Sequence, residues 1–345
     1  MVDGIAGRRA WTTTLADRFY DSEALSGFLR WTLQRDMRPV VVSQPDTRAS
    51  FPAAYRLLRT RALWLRLGDS PDGGFRDLRS GAVYASIDEV PDEPEDVGFV
   101  SPPLEDSHVW IGFSVSVQHR ADEATTLGEA AAILWHELTG AAPAAWGWHE
   151  PCLAPWNKVT YTESARSLMP YATMDISGGV TAQAVGVARR NQFGVEDAVS
   201  GLAVAGPAGQ VDMAEIGARA VAALRAVAQA LPTPSIGVIS VTHGGPQIQF
   251  AAPLTAPVMP LAVIVGPRAM RALGTDAASF AAQHGGLTAG LGKFPSLIMP
   301  LFGTGIGVWE RLRHLIGEFS ADQLAAALFL PRPNQSPNQG GRDAS

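Results

Sequence analysis

Two His-Glu pairs fall within the eighteen residues LWHELTGAAPAAWGWHEP, at His136-Glu137 and His149-Glu150. An imidazole beside a carboxylate can move a proton or hold a divalent metal, and spacing decides which chemistry is open. A zinc-peptidase helix needs a second histidine four residues after the first, so that both imidazoles share a helical face with a glutamate base. Here Gly140 stands four residues after His136, so that motif is absent. A set of two histidines and a carboxylate could still come from His136, His149 and Glu150, but Gly140 and Pro143 interrupt any helix between them. The residue types favour a helix ending at Gly140, with His136 in its last turn, and then a rigid corner carrying His149 and Glu150. Trp146 and Trp148 bring large amphipathic rings to that corner, suited to filling a core or anchoring a partner.

Other reactive patterns are incomplete. The chain has no Gly-x-Ser-x-Gly elbow, and its one cysteine, Cys152, follows Pro151 with no activating neighbour and reads as a packing residue. GLTAGLGKFP offers Gly290, Gly292 and Lys293, but Phe294 stands where a phosphate loop needs Ser or Thr. GTGIGV at 303–308 lacks the last glycine of the dinucleotide fingerprint and follows no evident strand. No catalytic residue is assigned, and neither a metal nor a cofactor is expected.

The elements that must position the corner read as α+β. DSEALSGFLRWTLQRD has Leu25, Phe28, Leu29 and Leu33 at helical spacing behind the N-caps Asp21 and Ser22. A β-rich RPVVVSQ and a short helix in SFPAAYRLLRTR follow, and then two β-runs flank Pro-Asp-Gly-Gly as a hairpin with its loop at 69–74. HVWIGFSVSVQH alternates strictly, with Val109, Ile111, Phe113, Val115 and Val117 on one face and mostly small or polar residues on the other. TLGEAAAILWHELTG reads as a helix with a Thr126–Glu129 capping box and Gly140 at its left-handed end. A second hairpin around RNQFGVED, a helix capped by Asp212 and Glu215, and strands in SIGVISVTH and PLAVIVG complete a mixed or antiparallel arrangement rather than a doubly wound one. The expected organisation is an N-terminal α/β lobe over 1–87, an acidic linker or strap over 88–106, a central α+β region over 107–268, a helical region over 269–330 with a Ser320–Gln323 capping box, and a disordered tail over 331–345.

Composition narrows the function classes. Of the 345 residues, 46% are hydrophobic and 17% charged, a mixture that builds a sizeable core. A net charge of −6 without a local run of Lys and Arg argues against nucleic acid as a partner. A single cysteine excludes an intrachain disulfide, and the N-terminus has no apolar segment after its arginines, so a cytoplasmic location is expected. The longest uncharged run, 294–309, is too short and too broken by Pro and Gly to span a bilayer, so no membrane insertion is expected.

The order of Leu138, Thr139, Gly140, Pro143, Trp146, Gly147, Glu150, Pro151, Pro155, Trp156, Ala165, Arg166 and Pro170 resembles the actinobacterial family of unknown function DUF6177. RPVVVSQPDTRASFP and WLRLGDSPDGGFRDLRSG resemble its upstream strand, turn and hairpin, so the likeness covers roughly 35–170 and fades beyond 190. The resemblance implies no established activity; it suggests a setting near ESX-like (type VII) secretion and toxin genes. The residues that carry it are mainly Gly, Pro and Trp, which fix backbone and fill cores, with one carboxylate and one arginine. Trp146, Gly147, Trp148, Glu150, Trp156 and Arg166 are therefore read as a binding surface or structural corner, locked by a bond between Glu150 and Arg166. The function expected is a non-enzymatic adaptor or chaperone with a protein partner, with an exposed apolar patch near Trp146 and Trp148. The alternative is a hydrolase, metal-dependent or not, using His136, His149 and Glu150 with His243 nearby.

Overall fold

A computed structural model describes residues 2–68, 74–91, 106–231, 233–251, 258–290 and 293–328. Most of the acidic strap, the tip of the first hairpin and the tail at 331–345 lie outside the described residues.

The N-terminal lobe runs β1 (Gly4–Ala6), β2 (Arg9–Thr14), β3 (Arg18–Phe19), α1 (Glu23–Leu33), β4 (Arg38–Ser43), β5 (Arg48–Ala49), α2 (Phe51–Arg59), β6 (Leu63–Leu67), β7 (Phe75–Asp77) and β8 (Val83–Tyr84). Its sheet has the order β1-β2-β4-β6-β7-β8. Strands β2, β4 and β6 are parallel while β6, β7 and β8 pair antiparallel, so this is a mixed sheet, in keeping with the α/β lobe expected over 1–87. The parallel part follows from the pair of intervening helices: parallel neighbours need a crossover, and α1 and α2 supply it. Both helices bury Leu25, Phe28, Leu29, Ala53 and Leu57 against Ala10, Val41 and Trp64, while Val40, Val42, Leu63 and Leu65 fill the opposite face. Burial on both faces explains the unbroken valine run in β4. Strands β6 and β7 pair antiparallel, as the Pro-Asp-Gly-Gly segment predicts.

The rest of the chain builds one sheet of ten strands from β9 (His108–His119), β10 (Ala145–Gly147), β11 (Ala154–Pro155), β12 (Tyr171–Ser177), β13 (Ala182–Asn191), β14 (Gly194–Pro207), β15 (Pro234–Gly244), β16 (Met259–Val265), β17 (Leu287–Ala289) and β18 (Ser296–Pro300). The order is β11-β10-β12-β13-β14-β9-β15-β16-β18-β17. Among the described residues every pairing in this sheet is antiparallel. Helices α3 (Glu129–Thr139), α4 (Lys158–Ser167) and α5 (Met213–Ala230) cover one face, where Ile111, Phe113, Val115, Leu134, Trp135, Tyr161 and Leu224 form the main core.

The other face carries two coverings. At one end sit α6 (Pro267–Leu273), α7 (Ala277–His284), α8 (Val308–Gly317) and α9 (Ala321–Ala327), packed over Leu297 and Met299. At the other end the N-terminal lobe docks: Ala49 bridges Phe250, Phe51 donates its N–H to Gln183 Oε1 at 2.9 Å, and Phe250 meets Trp110 edge-on at 5.5 Å. A methyl on Gly244 would fall 2.1 Å from the Trp110 ring, so the indole can lie over this strand only at glycine. The small and polar face of β9 is thus a docking floor at Trp110, and Ser114 beyond it stays exposed beside Ser200.

Two local expectations change. The segment after 269 is not wholly helical, because β17 and β18 extend the sheet beside β16; a short apolar run such as SLIMP carries no periodicity that separates buried strand from buried helix. The capping box at Thr126 is not formed either. Gly128 caps α3 in a left-handed conformation, and Asp197 Oδ2 accepts the Gly128 N–H at 2.8 Å. The Ser320–Gln323 box at α9 is present.

Burial pushes the Asp197 carboxyl up to about 6, against the opposing Gly128 hydrogen bond. The folded protein then holds a proton that the unfolded chain releases near pH 4, so stability falls as pH rises through this window. Relative to Asp197→Asn, the wild type should lose about 1 kcal/mol between about pH 5 and pH 7, as read from urea midpoints. Parallel pH profiles for the two proteins would remove Asp197 from that role.

Candidate functional site

The corner meets the N-terminal lobe in a buried polar cluster. Asp21 stands just before Ser22, the N-cap of α1, and Ser50 is the N-cap of α2. Arg56 lies on α2, Asp175 on β12, and His149 and Glu150 lie in the loop between β10 and β11. The loop doubles back tightly, since a Cβ at Gly147 would fall 2.9 Å from the His149 carbonyl oxygen. The Glu150–Pro151 bond within it is cis.

Glu150 is the centre of the contacts. Its Oε2 accepts the Asp21 backbone N–H at 2.9 Å and the Ser50 hydroxyl, while its own N–H donates to the Asp21 carbonyl at 2.8 Å. One carboxylate therefore joins the starts of two helices, where unpaired N–H groups and the helix dipoles favour negative charge. Arg56 Nε donates to Asp21 Oδ2 at 2.7 Å, and its Nη2 lies 3.7 Å from Asp175 Oδ1. Ser26 Oγ donates to Asp21 Oδ1 at 3.0 Å, and His149 Nδ1 is 4.0 Å from Asp21 Oδ2.

Asp21 and Asp175 are both 0% exposed, so three carboxyl groups share one low-dielectric site with one guanidinium. Burial, with the charge of Asp21 adding, pushes the Asp175 carboxyl well above the usual range despite Arg56. That shift favours the neutral form of Asp175, which limits the net charge the site must bear. Burial also raises Glu150, opposed by its bonds from Ser50 and Asp21. Cys152 sits behind the cluster with its thiol pushed up to about 12, by burial first and then by Asp175, Glu150 and Asp21. A thiol held in that state is no nucleophile at neutral pH.

The remaining corner residues divide between core and surface. Trp146 is buried and meets Trp148 and Tyr161 edge-on at 6.1 and 5.7 Å, and Trp156 lies 5.2 Å from Tyr161. The exposed patch expected at Trp146 and Trp148 is not there, because both rings pack into the main core. The expected Glu150–Arg166 bond does not form: Glu150 bonds Ser50 and Asp21, while Arg166 holds the carbonyls of Asp122, Glu123 and Thr125. His136 is exposed beside Glu137, and His136, His149 and Glu150 do not form a ligand group among the described residues. His243 is exposed on β15.

Open cavities also lie away from this cluster. One of about 890 Å³ sits at the amino ends of the parallel strands and gathers Arg8, Arg38, Arg61 and Arg79 with Asp36 and Asp77. This local basic grouping was invisible in the sequence, where the four arginines are far apart; Arg8 pairs with Asp36 at 2.5 Å. A groove of about 600 Å³ is formed by the GTGIG loop with Met259, Phe302 and Trp309. That loop does follow a strand, joining β18 to α8, contrary to its sequence reading.

The family model described as DUF6177, C-terminal domain, matches residues 110–321. The chain belongs to this family. The match runs well past residue 190, where the sequence likeness had faded, and spans nearly the whole ten-stranded sheet. No curated protein and no solved structure was found to match the chain. The DUF6177 segment supplies His149, Glu150 and Asp175, and the lobe before it supplies Asp21, Ser50 and Arg56. Sequence reading found Asp21 and Ser22 only as helix caps, and it passed over Asp175, whose signal is an acid inside the otherwise apolar strand YATMDIS.

Glu150→Ala leaves a buried N–H and a hydroxyl without their acceptor and should cost about 3 kcal/mol in urea unfolding, whereas Glu150→Gln should cost about 1 kcal/mol. Equal, small losses for both would contradict the latch. Cys152 in the native protein should react with a disulfide reagent at least about a hundredfold more slowly than in unfolded chain. Comparable rates would show an accessible, activatable thiol.

Proposed function

We propose that this DUF6177 protein is a non-enzymatic adaptor or chaperone that holds a protein partner through the groove around Trp309. The observation that carries this reading is a contrast in how side chains are used. The acids and the histidine of the corner are closed into an internal latch, while large apolar side chains stand in solvent around an open groove. Trp309 is 52% exposed and Ile306 47%, and both line the groove together with Phe302 and Met259. An exposed tryptophan beside a concave apolar surface is the residue type and setting that dominates binding at protein interfaces. Glu310 and Arg313 on the rim supply one charge of each sign, which suits a peptide segment with an apolar anchor and mixed charge.

The proposed partner is a secreted substrate of an ESX-like (type VII) system or a toxin from such a locus, held in the actinobacterial cytoplasm before export. No helix among the described residues is long and apolar enough to cross a membrane. A hydrolase reading would need convergent polar groups around an open pocket. Asp21 and Asp175 instead have no exposed surface, which favours the binding reading.

The test is purification of the full chain from an actinobacterial cytoplasm, identification of a stoichiometric partner, and binding of the two purified proteins. Trp309→Ala should weaken that affinity by about tenfold or more while leaving the unfolding midpoint unchanged. Absence of a stoichiometric partner, or an affinity indifferent to Trp309→Ala, would overturn the proposal.

A further inference from the structure

The helical covering of the ten-stranded sheet brings together three metal-binding side chains that the latch does not use. His284 is the last residue of α7, which ends at a left-handed Gly285. His314 lies in the last turn of α8, and Glu318 is the C-cap of the same helix. The spacing of four residues puts His314 and Glu318 on one helical face, and the end of α7 lies against that face. Ligand atoms of the three all lie within 4.8 Å of one another.

We propose that His284, His314 and Glu318 form a binding site for a zinc-type divalent transition metal. Donors about 2.0–2.1 Å from a tetrahedral ion stand roughly 3.3 Å apart. His284 Nε2 and Glu318 Oε1 are 3.1 Å apart, which is already that spacing. The His284 side chain is only 8% exposed, yet its Nε2 makes no hydrogen bond of acceptable geometry. A buried ring nitrogen without a hydrogen-bond partner calls for an explanation, and a metal supplies one. The ring is held by packing, 4.3 Å from Phe280, which in turn stacks on Phe319 at 5.4 Å.

The surroundings favour a cation. Two helix C-termini converge here, and each presents carbonyl groups carrying partial negative charge. Arg311 fixes the approach of the two helices: its Nη2 donates to the His284 carbonyl at 2.7 Å and its Nε to the Pro300 carbonyl at 2.9 Å. Two imidazoles and one carboxylate match zinc, cobalt or nickel; calcium and magnesium prefer oxygen donors throughout. His314 and Glu318 face solvent, so water completes the coordination, and the ion would pin α7 to α8.

The competing account is a plain His284–Glu318 ion pair, in which His314 has no part. Full-length protein without a polyhistidine tag, stripped with chelator and titrated with zinc chloride, separates the two. One zinc per chain by calorimetry and elemental analysis is expected, with a zinc-induced rise in Tm. His314→Ala, an exposed position, and Glu318→Gln should each weaken zinc binding by about tenfold or more and reduce that rise, with Tm in chelator unchanged for His314→Ala. Binding of less than one equivalent, or zinc affinity unaffected by His314→Ala, would overturn the site.

Discussion

The carboxylate of Glu150 sits where two helix N-termini and a sheet edge converge, and the register in which the two lobes dock depends on it. It accepts the Asp21 N–H and the Ser50 hydroxyl, so it is tied at once to the starts of α1 and α2. Both helices begin at the carboxyl ends of parallel strands, the edge where open α/β sheets bind anionic ligands. Here a side chain from the second sheet takes the place such a ligand would hold.

This joint explains why polar groups gather in a buried place between the two sheets. Asp175 faces the lobe from β12 and Arg56 comes from α2, so the guanidinium lies between carboxyl groups of both sheets. Buried ion pairs are seldom a large net source of stability, but an unpaired member is costly, and the cluster therefore selects one docked arrangement. Apolar contacts do the bulk of the holding: Trp110, Phe51 and Phe250 close the interface beside the cluster. The polar groups fix its register.

Much of the fold was legible because it rests on local pattern. The alternation in β9, Gly140 at the end of α3 and the Ser320–Gln323 box all appear where residue type predicts them. The long-range partners were not legible. Glu150 meets Asp21 across 129 residues and Ser50 across 100, and no periodicity encodes such pairings. Arg166 was a plausible partner for Glu150 only because it stood in the same stretch of sequence. Trp146 and Trp148 raised the same ambiguity: a tryptophan that fills a core and one that anchors a partner have identical composition, and only burial separates them. The His314–Glu318 spacing was readable, but its third ligand arrives from another helix.

The most direct test of the joint is native-state hydrogen exchange on the wild type and Glu150→Ala. If Glu150 couples the lobes, protection should fall together at the starts of α1 and α2 and in the strand around Asp175, while α5 stays protected. Loss confined to the loop carrying Glu150 would contradict the account, because the carboxylate would then order only its own turn.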